Sequence, residues 1–172
     1  MKIYCPYCGN GEATPFSDSV FHTHGYECDS CHKDFGVDDG KTIIEHENGL
    51  QEFFFRHTEK DGSSIQVSIK KEGNQVSLYP SKITEDHRLQ PYEKIDFTAQ
   101  YDGFLKLIFE QLFLLDWPKV STGFVTGKDE SFEIRLTYQV GTFEEDRYLG
   151  TAAFPKLYPA LKNLFACLFL EE

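Results

Sequence analysis

Two cysteine pairs near the start of the chain constrain the fold more than any other feature. The pairs are Cys5-Pro6-Tyr7-Cys8 and Cys28-Asp29-Ser30-Cys31, and 19 residues lie between Cys8 and Cys28. Two residues between cysteines allow a tight turn that directs both sulfur atoms at one ion, and two such turns supply the four thiolates that Zn²⁺ prefers. The spacing therefore predicts a structural zinc site. Its ligands would be Cys5, Cys8, Cys28 and Cys31.

The segment that carries these pairs resembles a zinc ribbon. The matching runs are Cys5-Pro6-Tyr7-Cys8-Gly9 and Tyr26-Glu27-Cys28-Asp29-Ser30-Cys31, with Phe35 shortly after. The resemblance covers about the first 40 residues. It implies two knuckles on short β-hairpins, a metal in place of an apolar core, and contacts with nucleic acid or other proteins. Ribbons often have glycine after the last cysteine, where this chain has His32.

The motif Cys-Pro-Tyr-Cys is also the redox motif of glutaredoxins, which gives a competing interpretation. There the motif follows a buried strand and opens a helix, which lowers the pKa of the first thiol. Here Gly9-Asn10-Gly11 follows and disfavours a helix, and only four residues precede Cys5. The redox interpretation also leaves the second cysteine pair without a role, so the zinc site is favoured.

Three histidines and the fifth cysteine need separate interpretation. His22, His24 and His32 could assist the metal site as ligands or as donors to a thiolate, but we expect them on the solvent face. Cys167 lies among leucine and phenylalanine residues, so we expect it to be a small buried apolar side chain.

The charge and the cysteine usage limit the partners and the compartment. Seventeen Lys and Arg against 28 Asp and Glu give a net charge of −11, which argues against direct binding to nucleic acid or an anionic membrane. The start of the chain has no apolar signal segment, and no apolar run approaches the ~18 residues that span a bilayer. Five cysteines, four of them in two tight pairs, favour a metal site in a reducing cytoplasm.

A turn at Asp38-Asp39-Gly40 suggests a boundary, so we expect a zinc ribbon at 1–40 and an α+β domain at 41–172. Alternating or Phe-rich runs predict strands at 51–57, 65–69, 76–79, 120–125, 131–140 and 147–154. Apolar runs predict helices from Asp102 to about Leu115 and from Pro155 to Leu170. The expected domain is an antiparallel sheet of six or seven strands covered by two helices. The repeated order of sheet then helix is consistent with a duplicated meander-plus-helix unit.

No catalytic motif is present. His46, His57 and His87 are not joined by a His-Glu-x-x-His spacing, so a role for any of them would depend on tertiary contacts. Four thiolates leave no open coordination position, so a zinc ion held by the cysteines would be structural.

These observations favour a zinc-binding, non-enzymatic module that interacts with another protein. One alternative is an acidic inhibitor, or DNA mimic, that acts on a nucleic-acid-binding protein, because the net charge is −11. A second is an enzyme whose site is built from scattered His, Glu and Asp residues. A third is a nucleic-acid binder, which would need a contiguous basic stripe through residues such as Arg56, Lys70, Lys71 and Lys82.

Overall fold

The computed structural model of the chain describes residues 2–138 and 145–170. It is a mixed α+β fold, as the sequence predicts, and it contains two compact units that are each built from several segments. The first unit comprises Met1–Gly49, Asp102–Trp117 and Pro155–Tyr158, and the second comprises Leu50–Tyr101, Pro118–Phe154 and Pro159–Glu172.

The first unit contains a three-stranded antiparallel sheet and a short helix. The strands are β1 (Ala13–Asp18), β2 (Thr23–Cys28) and β3 (Asp34–Asp38), and β2 lies in the middle. Helix α1 (Thr42–Gly49) follows and was not predicted, because its sequence has no apolar face and none of its residues is buried. Asp39 starts it: its Oδ1 accepts hydrogen bonds from the backbone N–H of Lys41 and Thr42 at 2.9 and 2.8 Å.

The segment that was predicted to be one helix up to Leu115 is broken. Helix α2 (Tyr101–Lys106) changes into a π-helical turn, Leu107–Gln111, and then a 3₁₀ turn, Leu114–Asp116. The indole Nε1 of Trp117 donates to the carbonyl of Leu112 at 2.7 Å, and the N–H of Asp116 donates to the carbonyl of Phe113 at 2.9 Å. Phe113 takes a left-handed conformation with φ of +51°, which ends the helix. Residues 102–117 belong to the first unit.

Within the described residues the second unit contains an eight-stranded sheet, one strand more than the upper prediction. The strands are β4 (Leu50–Thr58), β5 (Ser64–Glu72), β6 (Gln75–Ile83), β7 (Leu89–Pro91), β8 (Ile95–Asp96), β9 (Val120–Thr122), β10 (Ser131–Tyr138) and β11 (Glu145–Thr151). Their order is β7-β6-β5-β4-β10-β11-β9, and β8 pairs with β6. Among these strands every pairing is antiparallel except that of β9 with β11.

The strand predictions for the centre of this sheet are confirmed, and the predictions for its edges are only partly right. The strands predicted at 51–57, 65–69 and 76–79 lie within β4, β5 and β6. The strand predicted at 120–125 is only three residues long, and the polar stretch 80–97 contains two short strands that carry no periodic signal. The end of the strand predicted at 131–140 lies outside the described residues.

One face of this sheet forms the core of the second unit. Alternate residues of the strands are buried there, among them Phe53, Phe55, Val67, Ile69, Leu78, Phe132, Ile134, Leu136 and Tyr148. Helix α3 (Tyr158–Ala166) contributes Phe165, whose ring centroid lies 4.9 Å from that of Phe55 and 5.9 Å from that of Phe53. Helix α3 continues as a 3₁₀ turn, Cys167–Phe169. The helix predicted at 155–170 therefore ends close to its predicted end, but it begins later than expected, at Tyr158.

Candidate metal centre

The two cysteine pairs occupy two turns of the first unit. Cys5 and Cys8 lie in the turn before β1, whereas Cys28 is the last residue of β2 and Cys31 lies in the turn before β3. Strand pairing connects the turns, because Ala13 of β1 lies opposite Cys28 of β2. The hairpin register therefore holds two pairs that are distant in sequence side by side.

The two turns have the same backbone geometry. The N–H of the residue after each pair donates to the carbonyl of its first cysteine, from Gly9 to Cys5 at 2.8 Å and from His32 to Cys28 at 2.9 Å. In each turn the backbone N–H groups two and three residues after the first cysteine interact with its Sγ, among them Tyr7 with Cys5 at 3.4 Å and Cys31 with Cys28 at 3.5 Å. Gly9 has φ of +81° and His32 has φ of +60°, so histidine adopts the conformation that glycine favours in the first turn.

The four sulfur atoms form one cluster. Cys5 Sγ lies 3.7 Å from Cys31 Sγ, and Cys8 Sγ lies 3.4 Å from Cys28 Sγ. All four Sγ atoms lie within 4.8 Å of one another. A tetrahedral zinc ion with bonds of about 2.3 Å separates its sulfur ligands by about 3.8 Å, whereas a disulfide bond is only about 2.05 Å long. The cysteines are free, and their arrangement fits a single tetrahedral ion.

The thiol pKa values in this cluster differ with their surroundings. Backbone N–H groups, first that of Cys31, lower the pKa of Cys28 to about 6, whereas burial raises the pKa of Cys5 to about 12. Cys5 therefore remains a thiol at neutral pH unless a cation stabilises its thiolate. A dication supplies that stabilisation and displaces the proton, so metal binding to this group is coupled to proton release.

A small aromatic core packs beside the sulfur cluster. Phe35 and Phe113 are buried with Cys5 and Cys28, and Tyr26 and Leu157 pack against them. The rings of Phe35 and Phe113 meet edge to face, with centroids 4.9 Å apart. Phe113 arrives from the segment 102–117, so a residue distant in sequence completes the interior of the first unit.

Close backbone approach and one carboxylate hold that segment in place. A Cβ on Gly36 would lie 2.6 Å from the ring of Phe113, so no larger residue fits there. The backbone N–H of Gly36 donates to Oδ2 of Asp116 at 2.8 Å, and the Tyr7 hydroxyl also hydrogen-bonds that carboxylate. Burial raises the pKa of Asp116 above its usual range, and these two donors oppose the shift.

The histidines near the two cysteine pairs in sequence lie outside the sulfur cluster. The side chains of His22, His24 and His32 are exposed, as expected, and within the described residues the cluster contains cysteines alone. His24 Nε2 lies 3.9 Å from Asp38 Oδ2, and His32 Nδ1 lies 3.8 Å from Glu27 Oε1.

The prediction for Cys167 is wrong. Its side chain is exposed in the 3₁₀ turn after α3, and its Sγ donates to the carbonyl of Asn163 at 3.2 Å. The apolar neighbours of Cys167 in sequence are not neighbours on one helix face, because α3 buries Leu161 and Phe165 instead.

The two alternative sites proposed from sequence have less structural support. No helix follows Cys8, as the redox interpretation requires, because residues 9–12 are irregular and β1 begins at Ala13. The basic stripe is divided: Arg56 and Lys70 lie at positions on one face of the second sheet, and Lys82 lies at a position on the other. Arg56 is also paired with Glu133, with Nη2 2.5 Å from Oε2.

A second group of possible ligands lies in the second unit. His57, which stands alone in the sequence, lies close to Glu59 and Glu130. Burial, followed by the charge of Lys162, lowers the pKa of His57. One feature of the sequence points to this group of ligands. His57 continues the buried series Phe53 and Phe55 in β4, at a position where an apolar residue would be expected. His46 lies in α1 and His87 in the turn between β6 and β7.

Comparison with known proteins names no relative. No protein-family model, no curated protein and no solved structure matches the chain. Among the described residues, no helix is both long enough and apolar enough to cross a membrane.

Proposed function

We propose that residues 1–40 form a zinc ribbon whose Cys5, Cys8, Cys28 and Cys31 hold one structural Zn²⁺, and that this ribbon serves as a protein-interaction module. The observation that carries the proposal is the four-sulfur cluster at the meeting point of two equivalent turns, with separations close to those of a tetrahedral zinc site. Four thiolates would fill the coordination sphere, which supports a structural role for the ion and no catalytic one.

The tip of the first hairpin supports an interaction surface. Val20 and Phe21, between β1 and β2, are 77% and 74% exposed. Oδ1 of Asp18 accepts hydrogen bonds from their backbone N–H groups at 2.8 and 3.2 Å, so the turn presents both side chains in a defined position. Two adjacent apolar side chains held in this way are suited to insertion into a pocket on another protein.

The charge of the ribbon indicates the kind of pocket. Residues 1–40 contain two lysines and seven acidic residues, a net charge of −5, and four thiolates around a dication would add a formal −2. A partner with an apolar pocket and a basic rim would complement this surface and would bind faster at low ionic strength. The acidic-inhibitor hypothesis is the special case in which that basic surface belongs to a nucleic-acid-binding protein.

The experiment is capture of partners from nuclease-treated lysate of the native cell with the tagged full chain. We expect a stoichiometric partner that dissociates as salt is raised. The double variant Val20→Ser, Phe21→Ser should lose it, because truncating an interface anchor costs about 2 kcal/mol or more, roughly 30-fold in affinity.

The matched control is Phe124→Ser, because Phe124 is 89% exposed in the second unit. This variant should capture the partner as the wild type does, and both variants should keep one zinc per chain and an unchanged melting temperature. Equal capture by the tip variant would refute the role of the tip, and recovery of the protein alone would refute the interaction module. A nucleic-acid enzyme as the partner would favour the acidic inhibitor.

A further inference from the structure

Three ligating side chains meet where β4 ends and β10 begins. His57 lies opposite Phe132 and Thr58 lies opposite Ser131, so Glu59 and Glu130 both fall just beyond the paired residues, at the same end of the two strands. His57 Nε2 lies 3.3 Å from Glu130 Oε2 and 3.5 Å from Glu59 Oε1. One ligand atom of each residue lies within 4.8 Å of the other two.

We propose that His57, Glu59 and Glu130 form a second divalent-metal site, with Nε2 and one oxygen of each carboxylate as ligands and an open position for water. Zinc bonds to nitrogen and to carboxylate oxygen are about 2.0–2.2 Å long, which separates neighbouring tetrahedral ligands by about 3.4 Å. The two nitrogen–oxygen separations, 3.3 and 3.5 Å, match that value.

The same distances are long for a charge-assisted hydrogen bond, although the contact of His57 Nε2 with Glu130 remains within hydrogen-bonding reach. Hydrogen bonds between an imidazolium and a carboxylate are usually about 2.7–2.9 Å long. Both separations here are longer, at 3.3 and 3.5 Å. A single Nε2 proton can also serve only one of the two carboxylates, whereas an ion placed among the three atoms contacts all of them.

The burial of the three residues suits an ion that enters from solvent. His57 is 1% exposed and so offers a rigid nitrogen ligand, whereas Glu59 and Glu130 are 47% and 34% exposed and border the water. A divalent ion can therefore reach the site, and its remaining coordination positions can hold water. This contrasts with the four-cysteine group, which would leave no such position.

The ammonium group of Lys162 in α3 would compete with a metal ion for the carboxylate of Glu59. Its Nζ lies 3.7 Å from Glu59 Oε1, so its charge balances one of the two carboxylates. A bound dication would be repelled by this ammonium group, and removal of the ammonium should strengthen metal binding. An ordinary structural ion-pair network does not share this feature, because loss of Lys162 would only weaken it.

Mn²⁺ is the probe that separates this site from the cysteines. Carboxylate ligands suit Mn²⁺, whereas four thiolates select softer ions such as zinc. Full-length protein with zinc already bound is titrated with Mn²⁺, and free Mn²⁺ is followed by electron paramagnetic resonance. We expect one Mn²⁺ per chain in the wild type, and affinity at least tenfold weaker in Glu130→Gln, by comparison with the 10–100-fold effects of second-shell changes.

Two further variants complete the titration. Lys162→Met should bind Mn²⁺ several-fold more tightly than the wild type. Glu85→Gln, in an exposed acidic cluster of the same unit, should change neither stoichiometry nor affinity. Absence of Mn²⁺ binding at millimolar concentration, unchanged binding in Glu130→Gln, or weaker binding in Lys162→Met would overturn the proposal.

A measurement on the wild type avoids any dependence on how the variants fold. Substoichiometric Mn²⁺ broadens nuclear magnetic resonance signals of nearby protons. The ring signals of His57 should broaden before those of the exposed His87, which lies in another turn of the same unit. Broadening of His87 first, or of all histidines equally, would overturn the proposal.

Discussion

The two compact units fill their interiors by different means. The second unit buries one face of a sheet, with Phe53, Phe55, Ile134 and Phe165 among its fully buried side chains. The first unit buries two cysteines and two phenylalanines beside its small sheet, and its segment 102–117 adds buried side chains such as Ile108 and Phe109. The cysteine-bearing segment of about 40 residues contributes little apolar surface of its own, so a cross-link would stabilise it more than it would the second unit. Four thiolates around one ion would supply that cross-link.

The comparison extends to the two groups of side chains that could hold a metal ion. The group in the first unit consists of four sulfur atoms on two turns of equivalent backbone geometry. The group in the second unit consists of one buried nitrogen and two carboxylates that border solvent. The first is suited to holding a fold together and the second to an exchangeable ion with bound water, because a closed tetrahedral set differs from an open three-ligand set in its free positions.

Disruption of the proposed zinc site is the largest test of this contrast. We expect Cys5→Ser or Cys31→Ser, or a strong chelator, to unfold the first unit, because structural zinc contributes on the order of 10 kcal/mol to folding of small metal domains. Nuclear magnetic resonance should show that the ring signals of Phe35 and Phe113 lose their dispersion while the methyl signals of Ile134 keep native positions.

The matched control for that test is Cys167→Ser, because Cys167 is exposed and lies outside the sulfur cluster. It should retain one zinc per chain and the wild-type melting temperature. Retained metal and an unchanged thermal transition in Cys5→Ser would contradict the prediction, and so would loss of zinc in Cys167→Ser.

Truncation of one phenylalanine in each unit is the intermediate test. Phe165→Ala should lower the free energy of unfolding of the second unit by about 3–5 kcal/mol, because it leaves a cavity against Phe53 and Phe55. Phe113→Ala should speed amide hydrogen exchange in the first unit while zinc remains bound, because the free energy of metal binding exceeds that of one buried ring. Loss of zinc from Phe113→Ala would mean that the aromatic cluster, and not the ion, dominates the first unit.

The smallest test compares the two cysteine turns with each other. His32→Gly should stabilise the first unit by about 1 kcal/mol, because the left-handed conformation of His32 carries a steric cost that glycine avoids. Gly9→Ala should destabilise it by a similar amount, because Gly9 has the same kind of positive φ. Denaturant midpoints at fixed zinc concentration measure both. Destabilisation by His32→Gly would show that the imidazole contributes a contact worth more than the strain.

The chemistry of the four cysteines could be predicted from sequence because it is local. Two residues within each pair determine that each turn can direct its sulfurs at one ion, and the structure brings the four sulfurs together as predicted. The strands at β4, β5 and β6 were predicted for a similar reason, since alternation of polar and apolar residues is a property of the strand itself.

Sequence reasoning was less successful where a residue depends on distant neighbours. The apolar run after Asp102 predicted an unbroken helix. In the structure the indole N–H of Trp117 donates to the carbonyl of Leu112, and the backbone of Phe113 has a left-handed conformation. Phe113 then packs against Phe35, a contact between segments 78 positions apart that no local pattern encodes. Cys167 has apolar neighbours in sequence, but helix geometry leaves its side chain exposed.

The amino-acid sequence by itself determined the four-sulfur group, the strand-forming segments and the acidic character of the chain, because each depends on residue type and short spacing. Only the tertiary structure decided that Phe113 completes the interior of the first unit and that His57, Glu59 and Glu130 lie together. The physical reason is strand pairing and side-chain packing. The antiparallel register of β4 and β10 brings residue 130 beside residues 57–59, although about 70 positions separate them in the chain.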